Sequence, residues 1–207
     1  MSYTHIIFDI DGTMLDTEEA VLLSLQQTAE QVLHRTLPFD ELRFALGIPG
    51  KDALQKLGVR ETDTTMELWD SLFQRHFDRV RVFSGIPDLL KRLKEQGFRL
   101  GVITSKTEKE YRNDFVPFGL AGYFDTVLCA EHTACHKPHP EPMCAYLERA
   151  KATPAQALYI GDTVYDFQCA QGAGVDFALA LWGCRRPEGI AGRFALESPG
   201  QVFEVLG

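Results

Sequence analysis

Two aspartates stand two residues apart in Phe8-Asp9-Ile10-Asp11-Gly12-Thr13, directly after the apolar run His5-Ile6-Ile7-Phe8. The run reads as a buried strand. Alternate side chains on a strand share a side, so both acids face one way while the strand persists. Gly12 then permits a sharp turn. A strand that delivers acids to its carboxyl end and bends there is where an open α/β sheet places a ligand. Close carboxylates repel one another unless a cation joins them, and a hard ion such as Mg2+ is the usual one. The chemistry this suggests is metal-dependent phosphoryl transfer with Asp9 as nucleophile.

Such a site needs further parts, and three later stretches offer them. A strand over 98–104 ends at Thr104-Ser105. A strand over 125–129 is followed by a loop with Lys137-Pro138. A strand over 157–161 runs into Gly161-Asp162-Thr163-Val164-Tyr165-Asp166. In a parallel sheet all these ends lie along one edge, beside the acid pair. Taken singly each has a plain structural reading: a cap threonine, a surface lysine, a helix N-cap, a first-turn acid. Taken in order they make a carboxylate nucleophile, a second acid, a hydroxyl, a lysine and a second acidic cluster.

The elements that position these groups follow from periodicity and punctuation. After the first strand, Asp16 with Glu19 forms a capping-box pattern, and Leu22, Leu25, Ala29 and Val32 recur at helical spacing up to Pro38. Asp40 caps a short helix to Leu46, Gly47-Ile48-Pro49-Gly50 is a loop, and 51–57 is a helix closed by Gly58. A helix from Thr65 buries Met66, Trp69, Phe73 and Phe77. From Ser84 onward strands and helices alternate: helices after Pro87, over 108–116, 140–151 and 164–173, a fifth strand over 176–181 and a last helix from Ser198. The expected architecture is an α/β, Rossmann-like doubly wound parallel sheet built from 1–15 and 82–207, with an all-α insertion at 16–81.

Composition narrows the function. The chain has 207 residues, 21 basic against 29 acidic side chains and a formal charge of −8. That balance disfavours a nucleic-acid binder, which needs a basic face. No run of about 18 apolar residues suggests a membrane span, and the Met1-Ser2-Tyr3-Thr4-His5 start has no signal-type pattern. Five cysteines without a CxxC suit reduced thiols in a cytoplasm. No repeat or heptad seam fixes the oligomeric state, which stays open between monomer and homodimer.

The four motifs, in this order and spacing, resemble the phosphatase branch of the haloacid dehalogenase superfamily. The resemblance covers essentially the whole chain, and the insertion resembles that family's helical cap. Phosphoglycolate phosphatases, pyrophosphatases and β-phosphoglucomutases are the most similar subgroups. The resemblance implies a small phosphorylated metabolite as substrate, Mg2+ as cofactor and an aspartyl-phosphate on Asp9. It implies that Asp11 handles protons and gives its backbone carbonyl to the metal. Asp162 is a further ligand, and Asp166 supports the metal's water shell or orients Lys137. Thr104 and the Ser105 amide hold phosphate oxygens, and Lys137 neutralises charge. Gly47 to Lys51 resembles the specificity loop, with Lys51 either gripping a substrate anion or simply solvated. Three other readings are a sugar phosphomutase, an inactive binding module, and a zinc site from Cys129, His132, Cys135, His136 and His139. The mutase reading is weakened because Thr17 to Val21 has no histidine.

Overall fold

The computed structural model describes residues 3–206; Met1 and Ser2, which open the stretch read for a signal, lie outside them. Strand β1 (His5–Phe8) is central in a six-stranded sheet of order β5-β4-β1-β6-β7-β8. Its partners are β4 (Arg99–Ile103) and β6 (Ala157–Gly161), with β5 (Thr126–Leu128), β7 (Asp176–Ala180) and β8 (Phe194–Leu196) outside them. Every pairing is parallel. Parallel strands need both faces covered, which explains why β6 is buried at all five positions.

The pleat divides the core. Ile6 and Phe8 point to one side, where Leu89, Leu90 and Leu93 of α5 (Ile86–Glu95) meet them. Ile7 and Tyr159 point to the other side. There Met143 and Tyr146 of α7 (Glu141–Ala150) and Cys169 and Ala170 of α8 (Val164–Gly172) cover them. Each fully buried Leu or Ile contributes about 1.5–3 kcal/mol.

The segment between β2 (Leu15–Asp16) and β3 (Arg81–Val82) is helical: α1 (Glu18–Leu33), α2 (Phe39–Leu42), α3 (Gly50–Lys56) and α4 (Thr62–Arg75). Its own apolar cluster joins Leu22, Leu25, Leu42, Leu54 and Trp69. The Trp69 indole N–H donates to Ser24 Oγ at 2.9 Å, which satisfies its polar end. No helix of the described residues is long and apolar enough to cross a membrane.

Several local expectations are corrected. Asp16 does not cap α1, because it pairs with Arg81 across β2 and β3; Thr17 occupies the cap position without a side-chain bond. Helix α1 stops at Leu33, where His34 turns left-handed (φ 53°), well before Pro38. Pro38 and not Asp40 precedes α2, which ends at Leu42. The helix expected over 108–116 is α6 (Glu108–Glu110) followed by a wider turn over Tyr111–Phe115 and a tight one over Val116–Phe118. Pro117 has no N–H to give and crowds the preceding turn, so regular helix cannot pass it.

Candidate active site

The carboxyl edge of the sheet gathers the expected groups. Asp9 continues β1, its amide donating to Ile160 O at 2.9 Å. The chain then turns at once: the amides of Met14 and Leu15 both return to Ile10 O. The strand therefore ends at Phe8, and the two acids do not share one partner. Asp9, 2% exposed, accepts a bond from Lys137 Nζ at 2.8 Å. Asp11 instead has Lys106 Nζ 3.2 Å from its Oδ1, an ion contact without hydrogen-bond geometry.

Lys137 comes from the loop after β5, joined to Pro138 by a cis peptide. Its ammonium is shared by Asp9, by Asp166 at 2.7 Å and by the Tyr159 hydroxyl at 3.3 Å. Burial opposes that charge, but the carboxylates of Asp166 and Asp9 outweigh it and hold the lysine protonated. Asp166 is saturated. One oxygen takes Lys137 and the Tyr159 hydroxyl (2.8 Å); the other takes the Thr163 amide (3.0 Å) and hydroxyl. This is a capping box at the start of α8 turned to a second use, fixing the lysine. Of the two expected roles of Asp166, orientation of Lys137 is the one its bonds display.

Asp162 accepts a 3.1 Å bond from Thr13 Oγ1 and packs against Gly12. Gly12 has φ +77°, and a Cβ there would overlap the Asp162 carboxylate, so both turn and approach require glycine. Asp9, Asp162 and Asp166 offer oxygens within 4.8 Å of one another. Burial first, then repulsion from Asp166 and Asp9, pushes the Asp162 carboxyl well above the usual range. Asp9 is pushed up to about 7 by burial, against the pull of Lys137, with Asp166 and Asp11 adding repulsion. Crowded buried acids with a single lysine between them leave negative charge for a cation to balance. An all-oxygen donor set suits a hard divalent ion. Because Asp166 is already saturated, Asp9 and Asp162 are the side chains free to hold it.

This arrangement has a pH consequence. In an unfolded chain Asp9 titrates near 3.9. Between about 4 and 7 the folded protein keeps a proton that the unfolded chain has lost, so this group lowers stability as pH rises through that window. A divalent cation bound by these acids would take the proton's place. Removing divalent ions with EDTA should therefore lower Tm more at about pH 8 than at about pH 6. Equal losses at the two pH values would mean that the cation does not sit on these acids.

Thr104 is 5% exposed and lies behind the acids, lining a small recess with Ser105, His136 and Lys137. The Ser105 hydroxyl donates to Gly47 O at 2.9 Å, tying the sheet edge to the loop before α3. Above the acids is a cavity of about 80 Å³, lined by Asp9, Asp11, Ser105, Lys106 and Lys137 below and by Ile48, Gly50 and Trp69 above. A larger cavity of about 360 Å³ adjoins it past Asp11 and Gly12, with Arg43, Arg185 and Arg186 in its wall.

Lys51 lies apart from these groups. Its side chain is 59% exposed, its ammonium is 2.6 Å from Asp63, and it lines neither cavity. As the second residue of α3 it projects away from the turn that Gly50 presents to the site, which corrects the expected substrate grip. The cation that sequence reading missed is Lys106. It is 9% exposed, within 3.4 Å of Asp114 as well as 3.2 Å of Asp11, and 5.4 Å from the centre of the Phe73 ring. Its signal was its place in Thr104-Ser105-Lys106, directly after a strand end already singled out.

The fold and site together define an α/β enzyme of the aspartate-centred hydrolase type. Residues 6–180 match the family of haloacid dehalogenase-like hydrolases, and the chain belongs to that family. It is 29% identical to phosphoglycolate phosphatase of Aquifex aeolicus over 97% of this chain and 95% of that one. It is 26% identical to pyrophosphatase PpaX of Anoxybacillus flavithermus over 100% of this chain and 98% of the other. Among solved structures, a Lactobacillus plantarum protein superposes with TM-score 0.90 at 27% identity, covering all of both chains. A subfamily IA hydrolase of Geobacter sulfurreducens superposes with TM-score 0.73 at 25% identity, covering 99% and 97%.

Proposed function

We propose that this chain is a Mg2+-dependent phosphatase that hydrolyses a small phosphate monoester, phosphoglycolate-like in size, through a phosphoaspartate on Asp9. The observation that carries this reading is the buried Asp9 carboxylate, held by Lys137 at 2.8 Å and lining a cavity at the carboxyl edge of the sheet. One Asp9 oxygen attacks phosphorus and the bond to the leaving alcohol breaks. Asp11 gives that alcohol its proton, then takes one from the water that frees phosphate and regenerates Asp9. Lys137, fixed by Asp166 and Tyr159, compensates negative charge on the transferring group. Thr104 and the Ser105 amide hold phosphate oxygens. Mg2+, held by Asp9, Asp162 and the Asp11 carbonyl, supplies further charge neutralisation when bound.

Lys106 keeps Asp11 in place and balanced. The helices between 16 and 81 act as a cap over the catalytic core formed by 1–15 and 82–207. The cap side of the small cavity offers Ala45, Ile48, Gly50 and Trp69, room for a leaving group of few atoms. The names of the two curated relatives, a phosphoglycolate phosphatase and a pyrophosphatase, support phosphate chemistry and differ on substrate.

The test is hydrolysis of an aryl phosphate and of phosphoglycolate with Mg2+, with EDTA, and with Mg2+ restored. Turnover that needs the cation, with phosphoglycolate preferred, is expected. Absence of turnover on every phosphomonoester would leave the inactive-module reading in its place.

A further inference from the structure

The loop that carries Lys137 has a second cluster that the reaction above does not use. Cys135, His139 and Glu141 bring a sulfur, an imidazole nitrogen and a carboxylate oxygen within 4.8 Å of one another. We propose that Cys135, His139 and Glu141 form a surface site for a borderline-soft divalent cation of the Zn2+ class, separate from the acids of the sheet edge.

The cluster is only partly the one its sequence suggests. Cys129 is buried, and its amide donates to His132 Nδ1 at 2.9 Å while His132 Nε2 lies 3.0 Å from Glu108. His136 lines the recess behind Thr104. His132 is engaged by those bonds, Cys129 is buried, and His136 faces that recess. Glu141, which opens α7, takes their place, and it is anchored: its oxygens accept the amides of Ala134 at 2.9 Å and Cys135 at 3.0 Å. Each oxygen keeps a further lone pair for a metal. His139 Nδ1 lies 4.0 Å from Glu141 and accepts only a long 3.2 Å bond from the Glu141 amide, so its lone pair is cheaply released. The Cys135 sulfur lies within 4.8 Å of a Glu141 oxygen, and binding replaces the thiol proton by the metal ion: one S–H bond breaks, one S–metal bond forms, and one proton leaves to solvent.

The donor set separates this site from the first. Thiolate and imidazole favour Zn2+ or Co2+ over Mg2+, whereas the all-oxygen set of the sheet edge suits a hard ion. Three protein ligands with water in the fourth position is a common zinc arrangement. Tetrahedral contact asks the three donor atoms to draw together around the ion, which exposed Cys135 and His139 can do. Cys135 and His139 flank Lys137 by two residues on either side, so the ion would clasp the loop that aims the lysine.

Co2+ titration of the full chain reports the site directly. One equivalent should give a thiolate-to-cobalt charge-transfer band, and Zn2+ should abolish it while Mg2+ in excess leaves it. Cys135→Ser and His139→Ala should lose the band, and Glu141→Gln should weaken it. Asp9→Asn should retain it, which keeps the result independent of the phosphatase reading. Because both ligating side chains are exposed, circular dichroism and Tm serve to show that the variants are folded. No band in the wild-type protein, or a band that survives Cys135→Ser, overturns the proposal.

Discussion

Asp9→Asn should lose turnover by more than the roughly 10^4-fold that removing a general acid can cost. The amide cannot form the bond to phosphorus, whereas Asp11→Asn leaves the nucleophile in place and removes only proton transfer, for a loss of about 10^2–10^4-fold. The ranking of the two variants is therefore part of the expectation. The fold should survive, since Lys137 keeps Asp166 at 2.7 Å as a partner. It should even gain in the absence of metal near neutral pH, because the raised carboxyl of Asp9 is gone. Steady-state kinetics on an aryl phosphate, with Tm in EDTA alongside, reads both effects. An Asp9→Asn protein more active than Asp11→Asn would exclude Asp9 as the attacking group.

Lys137→Met should be the most destabilising single change at the sheet edge. The lysine is 4% exposed and holds two carboxylates that are themselves 2% and 0% exposed. Removing one partner of a buried ion network leaves uncompensated charge and costs about 3–5 kcal/mol. The sign with pH is definite. Without Lys137 the Asp9 carboxyl loses the partner that pulls it down and rises further, so it is protonated in the native state at acidic pH and the defect shrinks there. It is largest above neutrality, where Asp9 must ionise unpaired. Urea denaturation at about pH 5 and about pH 8 measures this. A variant as stable as wild type at the higher pH would show that the acids are balanced by something other than this lysine.

Asp9 was legible because it sits where a strand pattern stops, and Lys137 because it stands with Pro138 in the loop after an expected strand, in order with the other motifs. β1, β4 and β6 are continuous apolar runs, and their ends fall within a residue of where hydropathy changes. β2 and β3 are two residues each and β8 three, too short to show any period, so they emerge only from pairing. That is also why Asp16 was misread: three-residue spacing to Glu19 suits a cap, but the antiparallel partner Arg81 is 65 residues away and claims its backbone. Lysines posed the opposite difficulty. An exposed position is the default for the type, so residue type alone does not separate Lys51 on the surface from Lys106, nearly enclosed between Asp11 and Asp114; only the strand end before Lys106 points to it. Burial of a long charged chain depends on acids from distant elements, and no spacing rule encodes them.

The short pairing of β2 with β3 has a consequence for how such a protein can change over generations. Leu15 faces Val82 and Asp16 faces Arg81, so the chain leaves the sheet and returns to it through neighbouring backbones. Paired antiparallel strands stand about 5 Å apart, a gap that a two-residue turn closes. Everything from α1 to α4 hangs from that one doorway. The order and register of the six strands are set by residues outside that segment. Substrate preference can thus drift by replacing what enters through the doorway, while the acids and Lys137 stay where the sheet puts them.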